Sequence, residues 1–188
     1  MNRKEQQLFF ALCSFKESHL NADLVSTASP EVLGHLFANR MQGVAFGTLK
    51  KHQLLGKVNR EFRNSLSAAY EQNTQKNESF HQCVAMLNDI LSFCNCPVAM
   101  LKGAYLCSRY PAGYRTSNDV DLLVSACDVT AVGKLLTKAG FLQGSIRNDE
   151  FVPATRQEII SSRMLRGETV PYYKLNLFWL CDDNRYHN

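Results

Sequence analysis

The stretch LKGAYLCSRYPAGYRTSNDVDLLV, Leu101 to Val124, decides the fold class. It continues an apolar run that starts at Pro97 and breaks at Lys102-Gly103, which predicts a short strand ending in a glycine turn. AYLCSRY then predicts a helix, stopped by Pro111 and Gly113. DVDLLVS predicts a second strand carrying two aspartates, Asp119 and Asp121, between Val and Leu. Side chains alternate faces along a strand, so these carboxylates share one face, with Cα atoms about 6.5 Å apart at a rise of ~3.3 Å per residue. Val120 and Leu122 take the other face and are expected in the core. Two like charges side by side repel, and each resists losing water. A divalent cation such as Mg²⁺, which prefers carboxylate oxygens and keeps water or phosphate in its other positions, removes both costs. The pair alone is equally readable as solvated carboxylates on an exposed strand.

The neighbours of the pair favour the first reading. A glycine between strand and helix lets a backbone approach a phosphate, and helix N-termini attract anions. Lys102 adjoins Gly103, and Arg115 lies four residues before Asp119; either can neutralise phosphate charge. Strand, glycine turn, helix, arginine and Asp-x-Asp strand form a coherent site for Mg²⁺ or Mn²⁺ and a nucleoside triphosphate.

Outward from this stretch the chain divides in two. Residues 1–95 predict a helical region: one helix over 1–20 ended by Asn21-Ala22-Asp23, one from Ser29-Pro30-Glu31 through to Gly43, a shorter one over VAFGTLKKHQLL, and one long helix or two collinear ones reaching Cys94. Phe80, Val84, Leu87 and Leu91 make one apolar face of that long helix. From Pro97 the period changes. VTAVGKLLTKAGF predicts a helix ending at Gly140, and VPYYKLNLFWL predicts a strand that neighbours the two above. The expected class is α+β: a helical region over 1–95, and over 96–188 a lobe with a small mixed sheet and helices on one side.

Charge and cysteines set further bounds. The net charge of +4 is spread along the chain and is too weak to call for a nucleic-acid partner. KKHQLLGKVNREFR could touch phosphates, but a solvated helix face is the favoured reading, because charge runs on surface helices are ordinary. The seven cysteines are irregularly spaced, and Cys94-Asn95-Cys96 has no second pair to complete a zinc site, so free thiols in a reducing compartment are expected. LFFALCSF is cut short by Lys16 and Glu17, well under the ~18 residues of a membrane span, and no cleavage site follows it. A cytoplasmic protein without a membrane partner is expected.

Leu101-Lys102-Gly103, Tyr110-Pro111, Arg115, Asp119-Val120-Asp121-Leu122-Leu123-Val124 and Gly140-Phe141 together resemble the polymerase-beta superfamily of nucleotidyltransferases. The similarity is to its bacterial branch of uncharacterised nucleotidyltransferases. The resemblance implies transfer of NMP from an NTP to an acceptor, a small molecule or a protein, with Mg²⁺ (or Mn²⁺) as cofactor. It implies Asp119 and Asp121 as metal-binding catalytic carboxylates, and Lys102, Gly103, Ala104 and Arg115 around the nucleotide. Ala104 departs from the family's usual Gly or Ser and loses a hydroxyl contact to phosphate. The third catalytic position falls at Asn176, in Leu175-Asn176-Leu177-Phe178-Trp179, where relatives carry an acid, and Phe178 stands where they carry a His. An amide cannot act as a base near neutral pH. Glu168, Asp182 and Asp183 are the other acids in this region, but none sits at the matching place. The chain also ends where relatives continue, as a fragment or shortened relative would. Three functions stay open: an active transferase, a degenerate relative that binds nucleotide or a partner without efficient turnover, and a helical interaction module with a merely solvated acidic pair.

Overall fold

Asn2 starts the first helix, α1 (Arg3–Leu12): its side chain accepts from the backbone N–H of Lys4 and Glu5, and the Glu5 side chain reaches back to the Asn2 N–H. Asn21, expected to end a helix over 1–20, instead caps a new short one, α2 (Ala22–Val25), by accepting from Leu24 N–H. Ser29 and Pro30 open α3 (Pro30–Ala38) as their spacing predicts. The computed structural model describes residues 1–14 and 20–175 of the chain.

The helix expected to run from Pro30 to Gly43 breaks at Arg40. There the backbone turns left-handed, at φ 55°, while Met41 N–H bonds Leu36 C=O and Arg40 N–H bonds Phe37 C=O. These are the two crossing bonds of a Schellman stop. The next helix, α4 (Gln42–Lys51), ends the same way at Gln53, at φ 58°. Asn59 then caps α5 (Arg60–Leu91), accepting from Phe62 N–H. Leu8, Leu12, Val25, Val32, Leu36, Leu49, Phe62 and Leu66 from these helices form one core.

After α5 come β1 (Val98–Leu101), a six-residue helix α6 (Lys102–Cys107) and β2 (Asp121–Val124). β1 and β2 pair as a two-stranded sheet. Next come α7 (Val129–Lys138), β3 (Leu142–Arg147), β4 (Glu150–Pro153), α8 (Arg156–Arg166) and β5 (Tyr172–Tyr173). A second sheet has the order β4-β3-β5 and is antiparallel throughout. The class is therefore α+β, with the described strands divided between two small sheets. β1 and β2 are neighbours as expected, but β5 pairs with β3 instead of joining them. Beyond Leu175 the expected strand, Asn176 included, lies outside the described residues.

The β3–β4 hairpin and α8 were also not expected. Register Arg147↔Glu150 leaves Asn148-Asp149 as a two-residue hairpin loop, with φ of 51° and 61°. Positive φ at both positions is what a type I′ turn needs, and Asn and Asp tolerate it. Helix α8 starts at a capping box, Thr155 with Glu158, and stops at Gly167, at φ 65°. The Gly140-Phe141 pair is a Schellman stop for α7, with Phe141 N–H on Leu136 C=O and Gly140 N–H on Thr137 C=O.

The chain forms two compact units. One contains residues 1–81 and 101–121, and so holds α1–α4, most of α5, and α6. The other contains residues 82–100 and the chain from Leu122 onward, and so holds the second sheet with α7 and α8. In the second unit Leu87, Val132, Leu136 and Phe141 are buried. On the apolar face expected of α5, Phe80 and Leu87 are buried, and Val84 and Leu91 partly so.

Candidate functional site

Lys102, Gly103, Ala104, Arg115, Asp119 and Asp121 all belong to the first unit. A loop between α6 and β2 carries two of them, Arg115 and Asp119, and three glycines and two asparagines fix its path. Tyr114 N–H bonds Pro111 C=O across a turn whose third residue, Gly113, has φ 79°. A side chain at Gly113 would collide with the ring of Tyr70, 2.5 Å from the added carbon. On α4, Gly43 admits the Gly113 carbonyl and Gly47 admits the Tyr114 ring, at 2.0 and 2.2 Å from where their Cβ atoms would stand. From α5, Asn77 Oδ1 accepts Gly113 N–H at 2.8 Å while Asn77 Nδ2 donates to Arg115 C=O at 2.6 Å. Asn73 Nδ2 donates to Gly113 C=O at 3.1 Å. Both asparagines are buried, so these bonds satisfy amides that would otherwise be costly. They also anchor the backbone of Arg115, whose side chain is exposed and lies over the Tyr110 ring at 5.8 Å.

Asp119 lies just before β2, not within it, and is exposed; Asp121 is the first residue of the strand and is half-exposed. Val120 and Leu122, expected in the core, are only partly buried, because the strand belongs to a two-stranded sheet. Ser117 ties the Asp119 turn together: its hydroxyl lies 3.3 Å from Asp119 C=O and 3.4 Å from Asp119 Oδ1. The same hydroxyl sits 2.0 Å from where a Gly103 Cβ would be. Gly103 is thus needed for close approach, and what approaches it is Ser117. Ala104 is buried, so a hydroxyl at that place would need a partner inside the protein.

Lys102 and Asp121 face each other across the site as an ion pair, Nζ to Oδ2 3.0 Å, with both side chains well exposed. Lys102 holds a left-handed backbone, φ 46°, a conformation that costs a non-glycine residue on the order of 1 kcal/mol or more and gathers at functional turns. Its exposed ion pair adds only about 0–1 kcal/mol, so a ligand can replace either partner at little expense. The site therefore offers two carboxylates and two cations on a loop braced from behind by α4 and α5. Among the described residues, no three His, Cys, Asp or Glu side chains gather closely enough to hold a metal by themselves. Two carboxylates with open positions still suit Mg²⁺, which completes its shell with water and substrate phosphate.

The sequence profile of the uncharacterised nucleotidyltransferases matches residues 28–182. The chain belongs to this family. The match takes in α3 onward, including the whole loop and both aspartates. Neither the curated proteins nor the solved structures provide a match.

Ser117, Asn73 and Asn77 were not expected as parts of the site. Ser117 had a signal: a serine two residues before Asp119, placed to bond its backbone. Asn73 and Asn77 had a weaker one, two amides one turn apart on a helix. Elsewhere, Lys50, Lys51, Lys57 and Arg60 of the basic run are exposed. The Cys94 and Cys96 sulfurs lie 2.7 Å apart, and neither they nor Cys13, Cys83, Cys107 and Cys127 are joined in disulfides. No helix among the described residues is long and apolar enough to cross a membrane.

Proposed function

We propose that the protein transfers a nucleotidyl group from an NTP to an acceptor hydroxyl on a small molecule or protein, with Asp119 and Asp121 holding Mg²⁺ or Mn²⁺. The observation that carries this reading is the pair of carboxylates at the start of β2, set against the strained Lys102-Gly103 turn by Ser117 and by the exposed Lys102–Asp121 ion pair. In the transfer, the acceptor oxygen bonds the α-phosphorus, the bond from that phosphorus to the bridging oxygen breaks, and pyrophosphate leaves. The bound cation supplies charge neutralisation on the triphosphate and lowers the pKa of the acceptor hydroxyl. On nucleotide binding, Lys102 exchanges Asp121 for a phosphate oxygen and frees that carboxylate for metal. Arg115, its backbone fixed by Asn77, adds a second cation for the phosphates.

The acceptor's proton needs a base. Asn176, at the place of the third acid, cannot supply one. This favours slow transfer with nucleotide binding largely kept, and makes nucleotide binding without efficient turnover the second reading. The test is incubation with each NTP and Mg²⁺ or Mn²⁺, reading pyrophosphate release and self-labelling, with calorimetry of NTP binding alongside. Metal should strengthen NTP binding, and Asp119→Asn or Asp121→Asn should remove most of that gain. Asn176→Asp should raise any transfer rate at least about tenfold, given the typical 10²–10⁴-fold contribution of a positioned base. Equal NTP affinity with and without metal would rule out the carboxylate clamp.

A further inference from the structure

We propose that the second unit holds a separate binding site for a phosphate-bearing small molecule, in the cavity walled by α7, α8, β3 and β5. The pocket is shallow and open to solvent, with Lys134 and Lys138 exposed, and measures about 500 Å³, within the roughly 300 to 1,000 Å³ of small-molecule sites. Its wall carries Lys134 and Lys138 from α7 and Arg163 from α8, with no acidic side chain among the lining residues. None of these three cations forms an ion pair among the described residues. Lys134 and Lys138 stand one helical turn apart, where like charges disfavour the helix. An anion between them and Arg163 turns that repulsion into attraction.

Two further observations point to a ligand. Arg163 Nε is buried and has no hydrogen-bond acceptor among the described residues. A guanidinium presents its donors as a planar fork that suits phosphate, and an oxyanion taken between Nε and a terminal nitrogen would satisfy it after a small side-chain adjustment. The wall is also shaped around a polar group. Gly133 lies in mid-helix, where glycine is a poor choice, yet an added Cβ would stand 2.6 Å from the Tyr172 hydroxyl. The glycine thus admits that hydroxyl to the cavity beside the cations. Burial pushes the Tyr172 hydroxyl pKa up, with the Arg163 charge and a hydrogen bond to the Arg163 side chain acting against the shift, so part of the guanidinium is already held by the hydroxyl and its Nε is what remains for an anion. Isolated surface lysines would need neither the glycine nor the tyrosine.

The test is an NMR titration of the full chain with inorganic phosphate and, separately, pyrophosphate, in metal-stripped buffer at constant ionic strength without nucleotide. Under these conditions the aspartate site has no metal ion, and the shifts are read at residues outside it, so success or failure here is independent of the transferase reading. Saturable shifts are expected in the amides of residues 130–138 and of Gln143, Arg163 and Tyr172. Lys134→Gln and Arg163→Gln should each weaken binding at least about tenfold, as loss of a charge-assisted hydrogen bond does. Asp119→Asn should leave it unchanged. Arg163→Lys keeps the charge but not the fork, and should bind more weakly than the natural protein while folding normally. The absence of saturable shifts at these positions, equal shifts with acetate, or undiminished binding in Lys134→Gln would overturn the proposal.

Discussion

Replacing Asn77 by alanine removes the brace behind the candidate site without touching any charged group in it. Asn77 is 4% exposed and makes two bonds to the loop, accepting Gly113 N–H at 2.8 Å and donating to Arg115 C=O at 2.6 Å. Gly113 is buried, so its N–H would lose its acceptor out of reach of water, at a cost of about 1–3 kcal/mol. Arg115 is exposed and its carbonyl can recover a water, so that loss is nearer ~1 kcal/mol. The sum is about 2–4 kcal/mol, a large part of the ~5–15 kcal/mol that stabilises a typical domain. Urea denaturation should show the midpoint falling with the slope unchanged. Asn73 still holds Gly113 C=O, so the loop should loosen around Arg115 without detaching. Hydrogen exchange at Gly113 and Tyr114 should therefore rise, and metal-dependent NTP affinity should drop although no ligand-binding side chain has changed. A stability loss below about 0.5 kcal/mol, the level of an ordinary surface substitution, would refute the idea that this amide fixes the loop.

Gly103→Ala should cost about 1–3 kcal/mol by overpacking against Ser117; in a double-mutant cycle Ser117→Gly should recover most of it, and equal costs in both backgrounds would show that Ser117 is not what the glycine accommodates. Thr155 lowers the Glu158 pKa from its usual 4.5, chiefly through its backbone N–H and then its hydroxyl. The capping contribution should therefore be complete above that value and fade as pH falls through the lowered one, seen as rising hydrogen exchange in the first turn of α8. Val at Thr155 should shrink this acid sensitivity, and an unchanged exchange profile would argue against the cap. The hydrogen bond between the Cys96 and Cys94 sulfurs, which holds the Cys96 proton in place, is the main cause pushing the Cys96 thiol up to about 11. At pH 8 Cys96 should then be only about 10⁻³ thiolate and alkylate slowly; Cys94→Ala should speed its labelling in a mass-spectrometric footprint, and no change would remove Cys94 as the cause.

What the sequence disclosed and what it hid separate along one physical line. Elements announced by a residue with a single conformational meaning were legible: Ser29-Pro30 opening α3, Gly140 closing α7, Lys102-Gly103 marking the change from β1 to α6. The stops of α3 and α4 were not, because Arg40 and Gln53 take the left-handed position that glycine usually marks. Nothing local distinguishes either residue from a helix interior; what holds it there is the pair of crossing backbone bonds, set by the packing of Leu36 and Leu49 into the core. The β3–β4 hairpin and α8 had signals, Asn148-Asp149 and Thr155-x-x-Glu158, but their strands and helix carry few apolar residues, so hydrophobic periodicity passed over them. The candidate site shows the same division. Asp119 and Asp121 stand out because two like charges alternating with Val and Leu are visible in the sequence before folding. Ser117, Asn73 and Asn77 do not, since each is an ordinary polar residue until folding places a backbone group against it. Gly103 was legible as a close approach but not as an approach to Ser117. A glycine tells that something comes near; only the folded chain tells what. The loop is therefore best probed through the residues behind it. A carboxylate that binds metal and one that is merely solvated look alike in the sequence, and metal-dependent NTP binding is the measurement that separates them.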